Sequence, residues 1–172
     1  MDFLCLFLFS CAHSKQDKSE FTLVHYNIKE LTSAKLKEQH TPQLNAVRKV
    51  LKEYHPDILS INEIQYDLPN IPHGEFKSEG QNLKKLAKII QKNFAYDVFD
   101  QANTGNDAIP YKSGEYPLDF SDTRMRKKAD QNNFGIFPGQ YSTGALSNLK
   151  VIEVKVYKMI TWKEFNPKVN LD

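Results

Sequence analysis

Two short apolar strings, residues 23–28 and 56–64, constrain the fold of this chain more than any other feature. Both consist mainly of residues that favour β-strands, and each carries a polar side chain at or near its carboxyl end, Asn27 in the first and Glu63 in the second. Open α/β folds bind their ligands outside the carboxyl ends of the strands. We therefore predict that Asn27 and Glu63 lie on adjacent strands and converge at one edge of a sheet. An amide and a carboxylate in this position suit a hard divalent cation.

The segment between the two strings predicts a helix over Pro42–Tyr54. Thr41 is a suitable N-cap, Pro42 stands at the first helical position, and Pro56 lies just beyond the end of the helix. Apolar residues recur at spacings of three and four, which predicts one buried stripe. This stripe consists of Leu44, Val47, Val50, Leu51 and Tyr54.

The remaining patterns predict a second helix, with Asn82 as its N-cap, and four strands. The apolar stripe of this helix consists of Leu83, Leu86, Ile89, Ile90 and Phe94. Buried strands are predicted at residues 21–28, 58–61 and 96–99, and the alternation of apolar and charged residues over 151–157 predicts a half-exposed strand. Strands and helices alternate through the first part of the chain, and this order favours an α/β fold.

The amino-terminal residues differ in character from the rest. Residues 3–12 carry no charge and are followed by a polar stretch. The apolar run is too short to span a bilayer, but it matches the core of a secretory signal. Leu8-Phe-Ser-Cys11 also resembles a bacterial lipobox, in which the cysteine is lipidated. We therefore expect a leader and polar tether over residues 1–20, a domain over residues 21–172, and a secreted protein or cell-envelope lipoprotein held at the membrane through Cys11. The alternative is a buried apolar strand at the amino terminus.

The formal net charge of +2 at pH 7 gives the chain no strong overall field for nucleic acid. A local basic cluster, residues 124–128, lies within residues 100–144, which show no clear periodicity. Segments of this length without secondary structure are usually functional loops or disordered regions. The aromatic residues around the cluster are Tyr111, Tyr116, Phe120, Phe134 and Phe137. Such a combination can clamp phosphates and stack bases; the alternative is a solvated loop with aromatic anchors.

Five segments occur in a characteristic order. His25-Tyr26-Asn27 ends the first string, Pro56-Asp-Ile-Leu-Ser-Ile-Asn-Glu63 forms the second, and residues 129–141, 145–147 and 161–165 follow. In this order the segments resemble the opening half of the endonuclease/exonuclease/phosphatase superfamily, the metal-dependent hydrolases that include deoxyribonuclease I. The resemblance extends from about residue 21 to the carboxyl terminus.

The resemblance implies an α/β fold that forms one half of a two-sheet α/β sandwich of the deoxyribonuclease I type. It also implies a metal-dependent phosphoester hydrolase that uses Mg²⁺, or Mn²⁺ or Ca²⁺, on a phosphoester substrate, nucleic acid being one of several classes. Asn27 and Glu63 would then be catalytic and metal-binding residues. On the residues alone, the same two side chains could instead form caps and turns at the ends of strands.

The motifs that complete the active site of this family do not occur in the sequence. There is no Gly-Asp dipeptide, so the Gly-Asp-x-Asn motif is missing, and Ser121-Asp122 is followed by Thr123 and not by histidine. None of the five histidines lies in a sequence context that matches the catalytic histidine of the family, and we expect all of them at the surface or in caps. They are His13, His25, His40, His55 and His73. We therefore expect little or no turnover from this chain, a missing carboxyl-terminal half as a possible partner, and a broad apolar sheet face left uncovered. The alternative function is a non-catalytic remnant or a lipid-anchored binding module.

Overall fold

The computed structural model describes residues 20–119, 125–158 and 160–168, and over these ranges the chain is a mixed α/β protein. Cys11 and the rest of residues 1–19, which make up nearly all of the predicted leader and tether, lie outside the described residues. The strands are β1 (Leu23–Leu31), β2 (Ile58–Ile64), β3 (Tyr96–Asp100) and β4 (Ser142–Ser147). The helices are α1 (Ser33–Lys37), α2 (Pro42–Tyr54), α3 (Asn82–Ile89) and α4 (Trp162–Phe165), with a 3₁₀ turn at Met125–Lys127.

The strands form one mixed sheet in the order β1-β2-β4-β3. β1 pairs with β2 in parallel, whereas β4 is antiparallel to both β2 and β3. Three of the four predicted strands are therefore present, and β1 and β2 each end three residues later than predicted. Because β1 and β2 are parallel, their carboxyl ends meet at the same edge of the sheet.

One apolar core lies between the sheet and helices α1, α2 and α3. The predicted helix Pro42–Tyr54 is confirmed to the residue, and the Thr41 hydroxyl accepts the backbone N–H of Leu44 at 3.2 Å as an N-cap. The buried stripe is shorter than predicted, because Tyr54 is 55% exposed. The helix ends at this tyrosine, and His55 turns the chain with a left-handed backbone (φ 45°) before β2 begins.

The predicted N-cap of α3 is wrong. Asn82 is buried, and its amide donates to the Ser33 hydroxyl at 2.7 Å and to the Gln65 carbonyl at 2.9 Å. The cap comes instead from Asp67, whose Oδ1 accepts the backbone N–H groups of Gln81 (2.7 Å) and Asn82 (2.8 Å). A carboxylate is the better acceptor at the positive end of a helix, and this leaves Asn82 to tie α3 to α1 and β2.

The predicted strand over residues 151–157 is also wrong. No strand ladder includes these residues, and Ile152 is 89% exposed. Alternating sequence forms a strand only where a neighbouring strand supplies hydrogen bonds, and none of the described strands runs beside this segment. The segment is held near its end, where the Lys158 ammonium lies 2.7 Å from the Asp100 carboxylate.

The face of the sheet opposite the helices carries both polar and apolar side chains. The prediction that this face is broadly apolar is therefore wrong. At its centre Asn62 lies 3.4 Å from the imidazole of His25 and accepts the Thr143 hydroxyl at 3.0 Å. The large apolar side chains exposed from the described strands are Leu23 and Tyr96, near the end remote from β2's carboxyl terminus. Polar residues therefore occupy the part of this face nearest to the candidate site.

Candidate functional site

Asn27 and Glu63 come together at the carboxyl ends of β1 and β2, as the sequence predicts. Asn27 pairs with Asn62 in the parallel ladder, and its Nδ2 donates to Glu63 Oε1 at 2.8 Å. Beyond this pair the register shifts in both strands. Such bulges re-aim side chains, and they concentrate at the ends of strands beside functional sites.

The backbone around the two side chains is strained. Lys29, Glu30 and Glu63 all have left-handed backbones, with φ of 54°, 57° and 62°. Residues other than glycine rarely adopt this conformation, and it costs of order 1–3 kcal/mol for each residue. Three such residues within one small cluster indicate that the fold enforces this geometry, which is typical of functional sites.

The strained bulge of β1 holds the Asn27–Glu63 pair in place. The Lys29 N–H donates to Asn27 Oδ1 at 2.9 Å, which turns the amide nitrogen of Asn27 toward Glu63. The Glu30 N–H donates to Glu63 Oε2 at 3.2 Å, so both carboxylate oxygens of Glu63 accept a hydrogen bond. Each oxygen of a carboxylate has two lone pairs, and one on each oxygen therefore remains for a ligand.

Side chains from the helices satisfy the carbonyl groups of the same bulge. The Gln43 amide donates to the carbonyls of Ile28 and Lys29, the latter at 2.7 Å. The Lys35 ammonium donates to the Glu30 carbonyl at 2.7 Å. The bulge is thus supported from α1 and α2, and it closes one side of a cavity of about 380 Å³ that Asn27, Glu30 and Lys35 help to line.

Glu30 is a second carboxylate at this edge, and the sequence analysis missed it. Its Oε1 accepts the Gln140 amide at 2.8 Å and the Tyr141 hydroxyl at 3.2 Å. Burial raises the pKa of Tyr141, and the negative charge of Glu30 raises it further, so the phenol remains a donor. No local pattern in the sequence signals this role, because Gln140 and Tyr141 lie more than a hundred residues after Glu30.

Asp130 organises the loop that brings Gln140 and Tyr141 to Glu30. It is buried, and its carboxylate accepts the backbone N–H groups of Asn132 (2.9 Å), Asn133 (2.8 Å) and Asp107 (3.1 Å). Burial by itself would raise the pKa of Asp130, but these backbone hydrogen bonds outweigh it and lower the pKa below its ordinary value of 3.8. The ionised carboxylate therefore stabilises the folded loop.

Replacing Asp130 with asparagine should destabilise the protein by about 2 kcal/mol near neutral pH, because hydrogen bonds to a charged acceptor are lost. A carboxyl group with a lowered folded pKa stabilises the native state above its unfolded pKa, and that contribution disappears as the pH falls through the folded pKa. The stability difference between wild type and Asp130→Asn should therefore shrink below about pH 4. Urea unfolding from pH 3 to pH 7 measures it, and a difference that does not change with pH would contradict the assigned role.

Part of the basic cluster and part of its aromatic surroundings are held by contacts within the described residues. The Lys128 ammonium donates to the Pro110 carbonyl at 3.1 Å and lies 5.2 Å from the centre of the Tyr111 ring. Phe137 is buried in the protein, and Phe134 stacks on Tyr141 with ring centres 5.7 Å apart. These contacts favour the interpretation as a loop with aromatic anchors; Phe120 and residues 121–124 lie outside the described part.

Few side chains at this edge could hold a cation. Among the described residues no group of three or more histidine, cysteine, aspartate and glutamate side chains is arranged as a complete metal site. Mg²⁺, however, is commonly bound through only one or two carboxylates, with water and substrate phosphate completing its shell. Glu63 and Glu30 are the donors that would fit such a cation, whereas Asn27 turns its amide nitrogen toward Glu63 and its oxygen toward the Lys29 N–H.

Two of the described histidines have neighbours other than the candidate cation ligands. His25 Nδ1 is 3.1 Å from the Ser60 hydroxyl, and His73 Nε2 is 3.2 Å from the Tyr116 carbonyl.

Within the described ranges, no helix combines the length and apolar character needed to cross a membrane.

Comparisons of the chain with protein-family models, with curated proteins and with solved structures gave no match.

Proposed function

We propose that this chain carries the cation-binding part of a metal-dependent phosphoester hydrolase, built on one half of a two-sheet α/β sandwich. The observation that supports this most directly is the Asn27–Glu63 hydrogen bond of 2.8 Å, formed between parallel strands at their carboxyl ends on a strained backbone. Left-handed residues also occur elsewhere in the described chain, but three of them cluster around this pair, and such strain often accompanies functional sites.

The chemistry of phosphoester hydrolysis explains these residue types. The reaction needs a cation to neutralise the charge that develops on the phosphoryl group. In the proposed site Glu63 ligates the cation, Asn27 orients the Glu63 carboxylate, and Glu30 adds negative charge to the same edge. Bound Mg²⁺ would supply Lewis-acid stabilisation of the phosphoryl oxygens. The substrate class is a phosphoester.

A non-catalytic binding role is the second candidate, and one observation favours it. Both oxygens of Glu63 already accept hydrogen bonds from Asn27 and Glu30, which limits the carboxylate to one lone pair on each oxygen. The sequence also contains no Gly-Asp-x-Asn motif. Losing a water-activating base and an electrostatic donor each lowers rates by roughly two orders of magnitude or more. We therefore expect cation binding with weak or absent turnover.

Glu63→Gln should lower the affinity for Mg²⁺ by about tenfold or more, because the cation loses its charged ligand. The glutamine keeps an acceptor for the Asn27 amide but loses the one for the Glu30 N–H, so urea unfolding of the variant is measured alongside to show that the fold survives. Mg²⁺ titration followed by NMR of the backbone amides of residues 27–30 and 63 measures the affinity, with hydrolysis of bis(p-nitrophenyl) phosphate as the activity assay.

The matched control is Glu53→Gln, which removes an exposed carboxylate from α2 and should leave the Mg²⁺ affinity unchanged. If Glu63→Gln and Glu53→Gln bind Mg²⁺ equally well, Glu63 is not a ligand. Strong Mg²⁺-dependent turnover by the wild-type chain, abolished in Glu63→Gln, would support the enzyme and reject the non-catalytic alternative.

A further inference from the structure

Residues 151–157 have the composition of a strand but lack the partner that a strand needs. Their apolar side chains Ile152, Val154 and Val156 are all more than half exposed, so the apolar stripe of the segment lies in solvent. No backbone hydrogen bond between described residues involves this segment. It therefore presents both a row of unpaired backbone groups and an apolar stripe, and the function proposed above uses neither.

The segment is held close to both of its ends. Before it, the Asn148 N–H donates to the Asp57 carbonyl at 2.8 Å. After it, the Lys158 ammonium lies 2.7 Å from the Asp100 carboxylate. A segment fixed at both ends loses less conformational freedom when a partner binds it than a free tail does, and this favours binding.

The contacts within the segment fit an extended backbone. The Lys155 ammonium lies 3.4 Å from the Glu153 carboxylate, and both side chains are exposed. Residues two apart point to the same face of an extended chain, which brings these two charges together. None of residues 151–157 has a left-handed backbone. The segment can therefore join a strand ladder without a large rearrangement.

The order of its side chains makes the segment complementary to a second copy of itself. In an antiparallel pair centred on Val154, each Glu153 lies opposite the Lys155 of the other copy. In the same pair Ile152 lies opposite Val156, and Val154 lies opposite its own copy. Opposite charges and branched apolar side chains are both favourable cross-strand neighbours.

Other registers lose this complementarity. Parallel pairing in register, and antiparallel pairing centred on residue 153 or 155, place like charges directly opposite each other, which destabilises a strand pair. A slip of one residue from the Val154 register sets charged side chains against apolar ones. The sequence therefore favours one arrangement of two identical strands over its neighbours.

We propose that residues 151–157 pair with the same residues of a second copy of this chain, as an antiparallel two-stranded ribbon centred on Val154. Each copy supplies acceptors and donors for the unpaired backbone of the other. The ribbon is small beside the ~800 Å² that each partner buries in a stable complex, so we expect a weak dimer with a Kd of about 100 µM. The inference is independent of cation binding, because none of these residues is a proposed ligand.

Reversing the charges tests this arrangement. Glu153→Lys and Lys155→Glu each place like charges opposite each other, and each should weaken self-association of the full 172-residue chain by about tenfold or more. An equimolar mixture of the two variants pairs opposite charges again, and so does the variant that carries both substitutions. Both should therefore restore the wild-type affinity. Sedimentation equilibrium from about 10 to 500 µM brackets the expected Kd.

The matched control is Lys49→Glu, which makes the same change of charge at an exposed lysine of α2 and should leave the affinity unchanged. All of these side chains are exposed, so the variants should keep the far-UV circular dichroism of the wild type. A wild-type chain that stays monomeric over this range, as expected if a different protein covers the segment, would overturn the proposal. So would equal association of Lys155→Glu and Lys49→Glu, or a loss that neither the mixture nor the double variant restores.

Discussion

Replacing Gly105 with alanine should destabilise the native protein by about 3–5 kcal/mol, since the substitution adds both strain and a clash with backbone. Gly105 has a left-handed backbone with φ of 75°, and a Cβ there would lie 1.9 Å from the carbonyl oxygen of Phe137. That oxygen cannot retreat easily, because Phe137 is buried and Gly105 itself donates to the Phe134 carbonyl at 2.7 Å. Guanidinium unfolding of the two proteins measures the difference.

Two other glycines separate the clash from the strain. Gly114 also has a left-handed backbone, with φ of 87°, but nothing lies within 4 Å of a Cβ built on it. Gly114→Ala should therefore cost only about 1–2 kcal/mol. Gly74 has open space and no left-handed backbone, so Gly74→Ala should change stability by less than about 0.5 kcal/mol. Equal losses for Gly105→Ala and Gly114→Ala would show that residues 105 and 137 are not in close contact.

Asp67→Ala should cost about 3–4 kcal/mol, the second large effect, because it removes the cap of α3 and an acceptor for several donors. Asp67 is fully buried, and its carboxylate accepts the backbone N–H groups of Gln81 and Asn82 and the hydroxyl of Ser78. The Lys85 ammonium lies 3.3 Å from the same carboxylate. The substitution leaves the Asn82 N–H buried, and the Gln81 N–H partly buried, without their acceptor. Urea unfolding measures the loss.

Asp97→Ala is the control for loss of a charge alone. Asp97 forms an ion pair with Lys84 at 3.6 Å, and both side chains are partly exposed. Exposed pairs of this kind contribute less than about 1 kcal/mol. If Asp67→Ala costs no more than Asp97→Ala, then Asp67 does not cap α3.

The sequence predicts those features that depend on short spacings. The N-cap of α2 at Thr41, with a proline at the first helical position, is a local signal, and the structure confirms it. The meeting of Asn27 and Glu63 is also predictable, because parallel strands joined by a helix bring their carboxyl ends to one edge. The strained backbone at Lys29 and Glu30 has no such signal, since neither residue type is typical of a left-handed conformation.

Features that depend on distant partners could not be predicted in this way. Asn82 has the right residue type for a cap, but Asp67, which lies outside the helix sequence, takes that role through contacts that only the fold creates. Glu30 joins the site through Gln140, more than a hundred residues later in the chain. Residues 151–157 show the converse case. Their alternating pattern is typical of a strand, but they do not form one because none of the described strands lies beside them to pair with.

The order of the strands has a consequence for how the chain is made. β4 lies between β2 and β3 in the sheet although it is the last of the four to leave the ribosome. Until residue 147 has emerged, the long edge of β2 and the whole of β3 lack the neighbour that covers their hydrogen-bonding groups. Unpaired edges of this kind invite pairing with other chains. Until β4 has emerged, the growing polypeptide therefore exposes strand edges that can pair with other chains, and Glu30 acquires its final surroundings only once Gln140 and Tyr141 have been added.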